Sequence, residues 1–106
     1  MMSAEDRALL DAFAAHVRRV VPSAAVWAFG SRARGSAYPD SDLDLCVVVP
    51  QVTREIREAI HGLAWELGFE HGRLLAPVIL SWDDFERGPM SASTLVAHIR
   101  RDGVRA

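Results

Sequence analysis

Two acidic residues, Asp42 and Asp44, stand two apart at the start of Leu43–Val49, the most strand-like segment of the chain. A strand alternates its side chains, so both carboxylates face one way while Leu43 and Leu45 face the other. At ~3.3 Å rise per residue their Cα atoms lie ~7 Å apart. Two converging carboxylates can share a hard cation. Mg²⁺ suits such a pair, because it takes few protein ligands and keeps positions for water and phosphate oxygens. Taken alone, the pair also reads as a solvated strand start, with Asp40-Ser41-Asp42 as turn residues.

A second group of residues lies just upstream. The short apolar segment Ala24–Phe29 runs into Gly30-Ser31. Gly permits a sharp turn and a close approach to a ligand. Ser31 offers a hydroxyl and an N–H. If residues 31–36 open a helical turn, several unpaired N–H groups converge on one spot, a ready anion site. Arg32 and Arg34 add positive charge there, and the guanidinium fork suits phosphate oxygens. A phosphate cradle at one strand end, facing a carboxylate pair at the start of another, is what nucleotidyl transfer from a triphosphate needs.

The elements that must position these residues are legible along the chain. Leu9, Leu10, Phe13, Val17 and Val20 recur at helical spacing, and Ser3 with Asp6 resembles a capping box. This predicts a helix over Ala4–Val20. Strands are predicted over Ala24–Phe29 and Leu43–Val49. Thr53 is placed to cap a second helix whose inner face is Ile56, Ile60, Leu63 and Leu67, with Gly68 as its stop. Leu74–Leu80 reads as a third strand, held to a sheet edge by Pro77. Trp82–Arg87 reads as a short acidic turn, and a last helix is predicted from near Ser91 to Gly103. The expected architecture is one domain over residues 1–106, of the α/β (α+β) class: a small mixed β-sheet flanked by helices.

Composition removes several mechanisms. All twelve basic residues are Arg, and the chain contains no Lys. No side-chain Schiff base can form, and no phosphate-loop Lys is available. A net charge of −2 argues against a sequence-independent nucleic-acid face, so no direct nucleic-acid contact is expected. The single cysteine, Cys46, excludes an internal disulfide and a Cys-rich zinc site, and its apolar surroundings suit a buried structural thiol. His61, His71 and His98 share no metal-ligand spacing with one another or with Cys46, and His16, at the edge of the first apolar stripe, reads as solvated or packed. Asp40, Asp42 and Asp44 mimic the start of an EF-hand loop, but Leu45 stands where that loop needs Gly. Trp27, Trp65 and Trp82 read as core or interface residues. The polar first residues and the lack of a long apolar run lead us to expect a cytoplasmic protein with no membrane contact.

The string Gly30-Ser31-Arg32-Ala33-Arg34-Gly35, followed by Tyr38-Pro39-Asp40-Ser41-Asp42-Leu43-Asp44-Leu45, resembles the signature of the polymerase-beta-like nucleotidyltransferase superfamily. It is most similar to the minimal nucleotidyltransferases of bacteria and archaea. The ending Ile99-Arg100-Arg101-Asp102-Gly103-Val104 is loosely similar to the same group. The resemblance implies the polymerase-beta-like nucleotidyltransferase fold, with Asp42 and Asp44 as catalytic Mg²⁺ ligands. It implies that Gly30, Ser31, Arg32 and Arg34 contact the triphosphate of ATP. It further implies transfer of AMP to a tyrosine hydroxyl of a partner HEPN-type toxin, for which the protein would act as antitoxin.

One departure from the family pattern stands out. Active members usually carry a third carboxylate on a neighbouring strand, and Leu74–Leu80 holds none. Glu70 lies before that strand and would reach the site only if the strand began earlier. Asp83, Asp84 and Glu86 lie after it and fit the turn. A catalytically impaired module that neutralises its partner by binding is therefore the alternative. A small-molecule nucleotidyltransferase is a third reading. It would need an acceptor pocket that this short chain could form only as a homo-oligomer.

Overall fold

The computed structural model describes residues 1–36, 41–88 and 93–106. Tyr38, Pro39 and Asp40 of the signature string lie outside the described residues, as does Ser91, the expected start of the last helix.

Helix α1 spans Ala4–Val20. The Ser3 hydroxyl accepts a hydrogen bond from the Asp6 N–H, so half of the expected capping box forms. The other half does not, because the Asp6 carboxylate is turned away from the cap. Leu9, Leu10, Phe13 and Val17 of the helical stripe read from spacing are buried, but Val20, at the last residue of the helix, is exposed. Strand β1 (Ala25–Phe29) leads directly into the short helix α2 (Gly30–Arg34). Strand β2 follows at Leu43–Val49 and helix α3 at Arg54–His71. Thr53 caps α3 by accepting from the Ile56 N–H. Strand β3 (Leu75–Ser81), the short helix α4 (Trp82–Glu86), helix α5 (Thr94–Asp102) and the two-residue strand β4 (Val104–Arg105) complete the chain.

The sheet order is β3-β2-β1-β4. β1 pairs antiparallel with β2 and β4, and β2 pairs parallel with β3 through the α3 crossover. Pro77 therefore sits on an edge strand, where its missing N–H is tolerated. One face of the sheet presents Val26, Ala28, Leu43, Leu45, Val47 and Val49 to α1 and α3. The other presents Ala25, Cys46 and Val48 to Phe85, Val96 and Ile99 of α4 and α5. The nearly continuous burial of β2 follows from its central position between two covered faces. No described helix is long and apolar enough to cross a membrane.

Three expectations need correction. The second helix does not stop at Gly68 but runs three residues further to His71. Its left-handed C-terminal residue is Gly72, at φ 64°. Gly68 is there for a different reason: a Cβ would run into the carbonyl oxygen of Arg73, and Gly68 accepts the closing hydrogen bond from the Arg73 N–H. The acidic turn at Trp82 is a helical turn, capped by Ser81 through the Asp84 N–H. Strand β4 was not foreseen, since two residues carry no period.

The two α3 glycines make a paired test. Gly62 has open space around its would-be Cβ. Gly62→Ala is expected to stabilise the protein by ~0.5–1 kcal/mol in a denaturant titration. Gly68→Ala is expected to destabilise it by ~1–3 kcal/mol, the cost of overpacking against backbone.

Candidate active site

The register of β1 and β2 sets Phe29 opposite Asp44. Gly30, the next residue, is thereby brought against the Asp44 side chain. A Cβ at Gly30 would lie 2.6 Å from Asp44 Oδ2, and Gly30 adopts φ +77°. Both space and backbone conformation demand glycine here. The loop after β1 and the carboxylates at the start of β2 are thus in direct contact, as the sequence led us to expect.

Asp44 is half-buried and Asp42 is exposed. Both alternate with buried Leu43, so they share the sheet face that carries Cys46 and Val48. Burial pushes the Asp44 carboxyl above the ordinary carboxylate range, and the neighbouring Asp42 charge pushes it the same way. An uncompensated pair of like charges, one partly desolvated, is a setting that a divalent cation relieves. The donor set therefore fits a hard cation held by two protein ligands. Among the described residues no group of three or more His, Cys, Asp or Glu side chains could hold a metal ion.

The position of a third carboxylate is now readable. In the parallel ladder, Ala76 pairs with Asp44 and Val78 with Cys46. The residues of β3 beside Asp44 on the shared face are therefore apolar. Glu70 does not supply the missing ligand. It is an exposed residue of α3 beside His16 and Glu66, and α3 packs on the opposite face of the sheet. The acids of α4 lie at the far end, since Ser81 pairs with Val49 at the other limit of β2. There Asp83 engages Arg87.

The four cradle residues fall into different environments. Helix α2 has no side-chain cap at its start, and it closes at Gly35 with φ +76°. Ser31 is partly exposed beside Gly30, and Arg34 is exposed. Arg32 instead points inward. Its Nη1 donates to both Asp6 oxygens, at 3.3 and 3.4 Å, and its Nε donates to the Ser41 carbonyl at 3.0 Å. Arg73 Nη2 meets the same carboxylate at 2.7 Å. Burial of Asp6 raises its pKa, but hydrogen bonds and charge from Arg73 and Arg32 more than offset this, leaving it lowered overall. From sequence Asp6 read only as part of a capping box, and Arg73 was not singled out. No local pattern marks two residues 67 positions apart as partners.

Other candidates, Trp65 excepted, behave as expected of structural residues. The Cys46 thiol is buried and pushed up to about 12 by desolvation, so it is not a nucleophile. His16 hydrogen-bonds through Nδ1 to the Ala12 carbonyl oxygen. Trp27 stacks on Phe85 with ring centroids 5.2 Å apart, and Trp82 meets both edge-on. Trp65 is exposed on α3.

The family described as "Nucleotidyltransferase domain" matches residues 10–101. No curated protein matches the sequence significantly. Among solved structures, a mutant of the toxin–antitoxin MntA-HpeT superposes with a TM-score of 0.59 at 17% identity, over 90% of this chain and 69% of that one. A toxin–antitoxin crystal structure with AMP-PNP gives a TM-score of 0.56 at 19% identity, over 90% of this chain and 70% of that one. Likeness at this identity is a likeness of fold.

The raised Asp44 pKa makes a prediction with a definite sign. The folded state binds the Asp44 proton more readily than the unfolded state does. Without metal, this group's destabilising effect is present at neutral pH and is relieved as pH falls through its raised folded value. Asp44→Asn is therefore expected to raise the thermal midpoint at pH 7 in the presence of chelator. At a pH below the ordinary carboxylate value the gain should vanish. A variant less stable than wild type at pH 7 would contradict the electrostatic account.

Proposed function

Because the chain belongs to the nucleotidyltransferase domain family, we propose that it is a protein adenylyltransferase that moves AMP from ATP to a tyrosine hydroxyl of a HEPN-type toxin, and so serves as that toxin's antitoxin. The observation that carries this reading is the contact of Gly30 with Asp44, which sets the loop after β1 beside the two aspartates at the start of β2. The partner class is suggested by structural neighbours that are toxin–antitoxin assemblies, one of them with AMP-PNP.

Asp42 and Asp44 are the residues that would hold Mg²⁺. The ion, when bound, would neutralise phosphate charge and favour ionisation of the acceptor hydroxyl. Ser31 and the backbone after Gly30 would bind and orient the triphosphate, with exposed Arg34 adding charge beside it. The acceptor oxygen bonds to the α-phosphorus while the bond to the bridging oxygen breaks. Pyrophosphate leaves with the electron pair, and the acceptor loses its proton to solvent. The β3 residues that pair with Asp44 and Cys46 are Ala76 and Val78, which cannot take it.

A second reading rests on Ala76 and Val78, the apolar neighbours of Asp44 and Cys46 on β3. Without a third carboxylate, the protein neutralises its partner by contact alone. A single experiment separates the two. Labelled ATP, Mg²⁺ and the candidate toxin are incubated with wild type and with an Asp42→Ala/Asp44→Ala double variant. Label on the toxin with wild type alone establishes transfer. No label, with the double variant still protecting cells, establishes binding.

The cradle assignment is checked separately. Arg34→Ala is expected to weaken AMP-PNP binding by ~10-fold, about the value of one charge-assisted contact. Arg57→Ala, on the exposed side of α3, is expected to leave it unchanged. Equal effects in a calorimetric titration would mean that the triphosphate binds elsewhere.

A further inference from the structure

Among the described residues, Asp6 is the one buried charged residue, 3% exposed. Its place in the third position of α1 needs no carboxylate for capping, since Ser3 already accepts the Asp6 N–H. Its side chain instead joins three separate parts of the chain. Arg32 comes from α2, the loop after Gly30, and Arg73 comes from the turn between α3 and β3.

Each arginine continues toward the candidate site. Arg32 donates from Nε to the carbonyl of Ser41, the residue before Asp42. Arg73 precedes Leu74, whose carbonyl accepts from the Leu43 N–H at 3.0 Å. Leu43 stands between Asp42 and Asp44. The backbone on both sides of Asp42 is thus tied to one buried carboxylate, through two links at Ser41 and three at Leu43. The arm from Arg32 also fixes α2, which carries Ser31 and Arg34. Glu5 adds a second carboxylate at the exposed rim, 4.0 Å from Arg73 Nη1, so the two guanidinium groups are matched in charge and the cluster acts by position.

We propose that Asp6 is a positioning residue for the nucleotide site, holding Arg32 and Arg73 so that the loop after Gly30 and the start of β2 keep their mutual geometry. Arg32 then works as a strut. The proposal rests on the nucleotidyl-transfer reading for its functional meaning, but the mechanical coupling can be read without it.

The test compares Asp6→Asn with Val17→Ala, a cavity variant elsewhere on α1. Amide hydrogen exchange and AMP-PNP affinity with Mg²⁺ are measured on both. In Asp6→Asn, exchange is expected to quicken selectively at residues 31–36 and at Leu43, and AMP-PNP affinity to fall ~10- to 100-fold, the usual cost of a misplaced site. In transfer assays KM for ATP should rise more than kcat falls, and Asp6→Glu should recover part of the loss. Val17→Ala should loosen the chain more evenly and leave affinity near wild type. Uniform exchange in Asp6→Asn, with affinity unchanged, would overturn the proposal. If wild type binds no AMP-PNP, the functional reading fails, and the exchange pattern alone decides the coupling: selective loosening sustains it and uniform loosening removes it. Should Asp6→Asn not fold, Arg73→Gln removes the second arm and is read by the same two measurements.

Discussion

The antiparallel ladder between β1 and β2 places Phe29 opposite Asp44, and the site cannot exist in any other register. A slip of one residue would turn Asp42 and Asp44 toward the face now occupied by Leu43 and Leu45. That face is the larger of the two cores, with α1 and α3 packed on it. Two carboxylates there would be buried without partners, a cost of several kcal/mol each. The hydrophobic pattern of β2 and the placement of its acids are therefore one constraint. The same valines and leucines that fold the sheet hold the carboxylates on the opposite side.

Charge is managed very differently in the two acidic places of the molecule. Asp6 is desolvated but met by two arginines, and its pKa is lowered. Asp44 is desolvated and met by another aspartate, and its pKa is raised. In a buried ion cluster, removing one member costs ~3–5 kcal/mol because the others are left uncompensated. An exposed pair such as Arg54–Glu58 contributes ~0–1 kcal/mol at most. The interior cluster is thus costly to break, while the Asp42–Asp44 pair carries a repulsion that a bound cation would relieve. A stability cost held at one place and offset elsewhere is common where a fold carries chemistry.

Much of this was legible in the sequence because periodicity reports burial. The α1 stripe, the β2 run and the edge position of Pro77 all follow from which residues must avoid water or lack an N–H. The Gly-Ser and Asp-x-Asp spacing located the candidate site, since short-range geometry fixes which way those side chains face. What escaped was long-range or too short to have a period. Gly68 looked like a helix stop because a glycine required by a close backbone approach looks the same in sequence as one required by a left-handed conformation. Arg32 read as a phosphate contact on its charge and on the family resemblance, and its contact with Asp6 is visible only in the fold. The apolar identity of the positions next to Asp44 depended on the β2–β3 register, which placed Ala76 and Val78 there.

Strand β4 has a bearing on how the molecule is assembled. Trp27 pairs with Arg105, and the Ala106 N–H donates to the Val26 carbonyl. Arg18 reaches the Ala106 carbonyl from α1. A long stretch of sequence separates these partners, so their meeting closes a long loop, and the entropy of that closure is met by two residues of ladder and these few hydrogen bonds. Such a pairing is worth little until β1 and β2 are already in place. The order of folding is therefore expected to run from the sheet centre outward, with the short edge strand β4 pairing last and opening first.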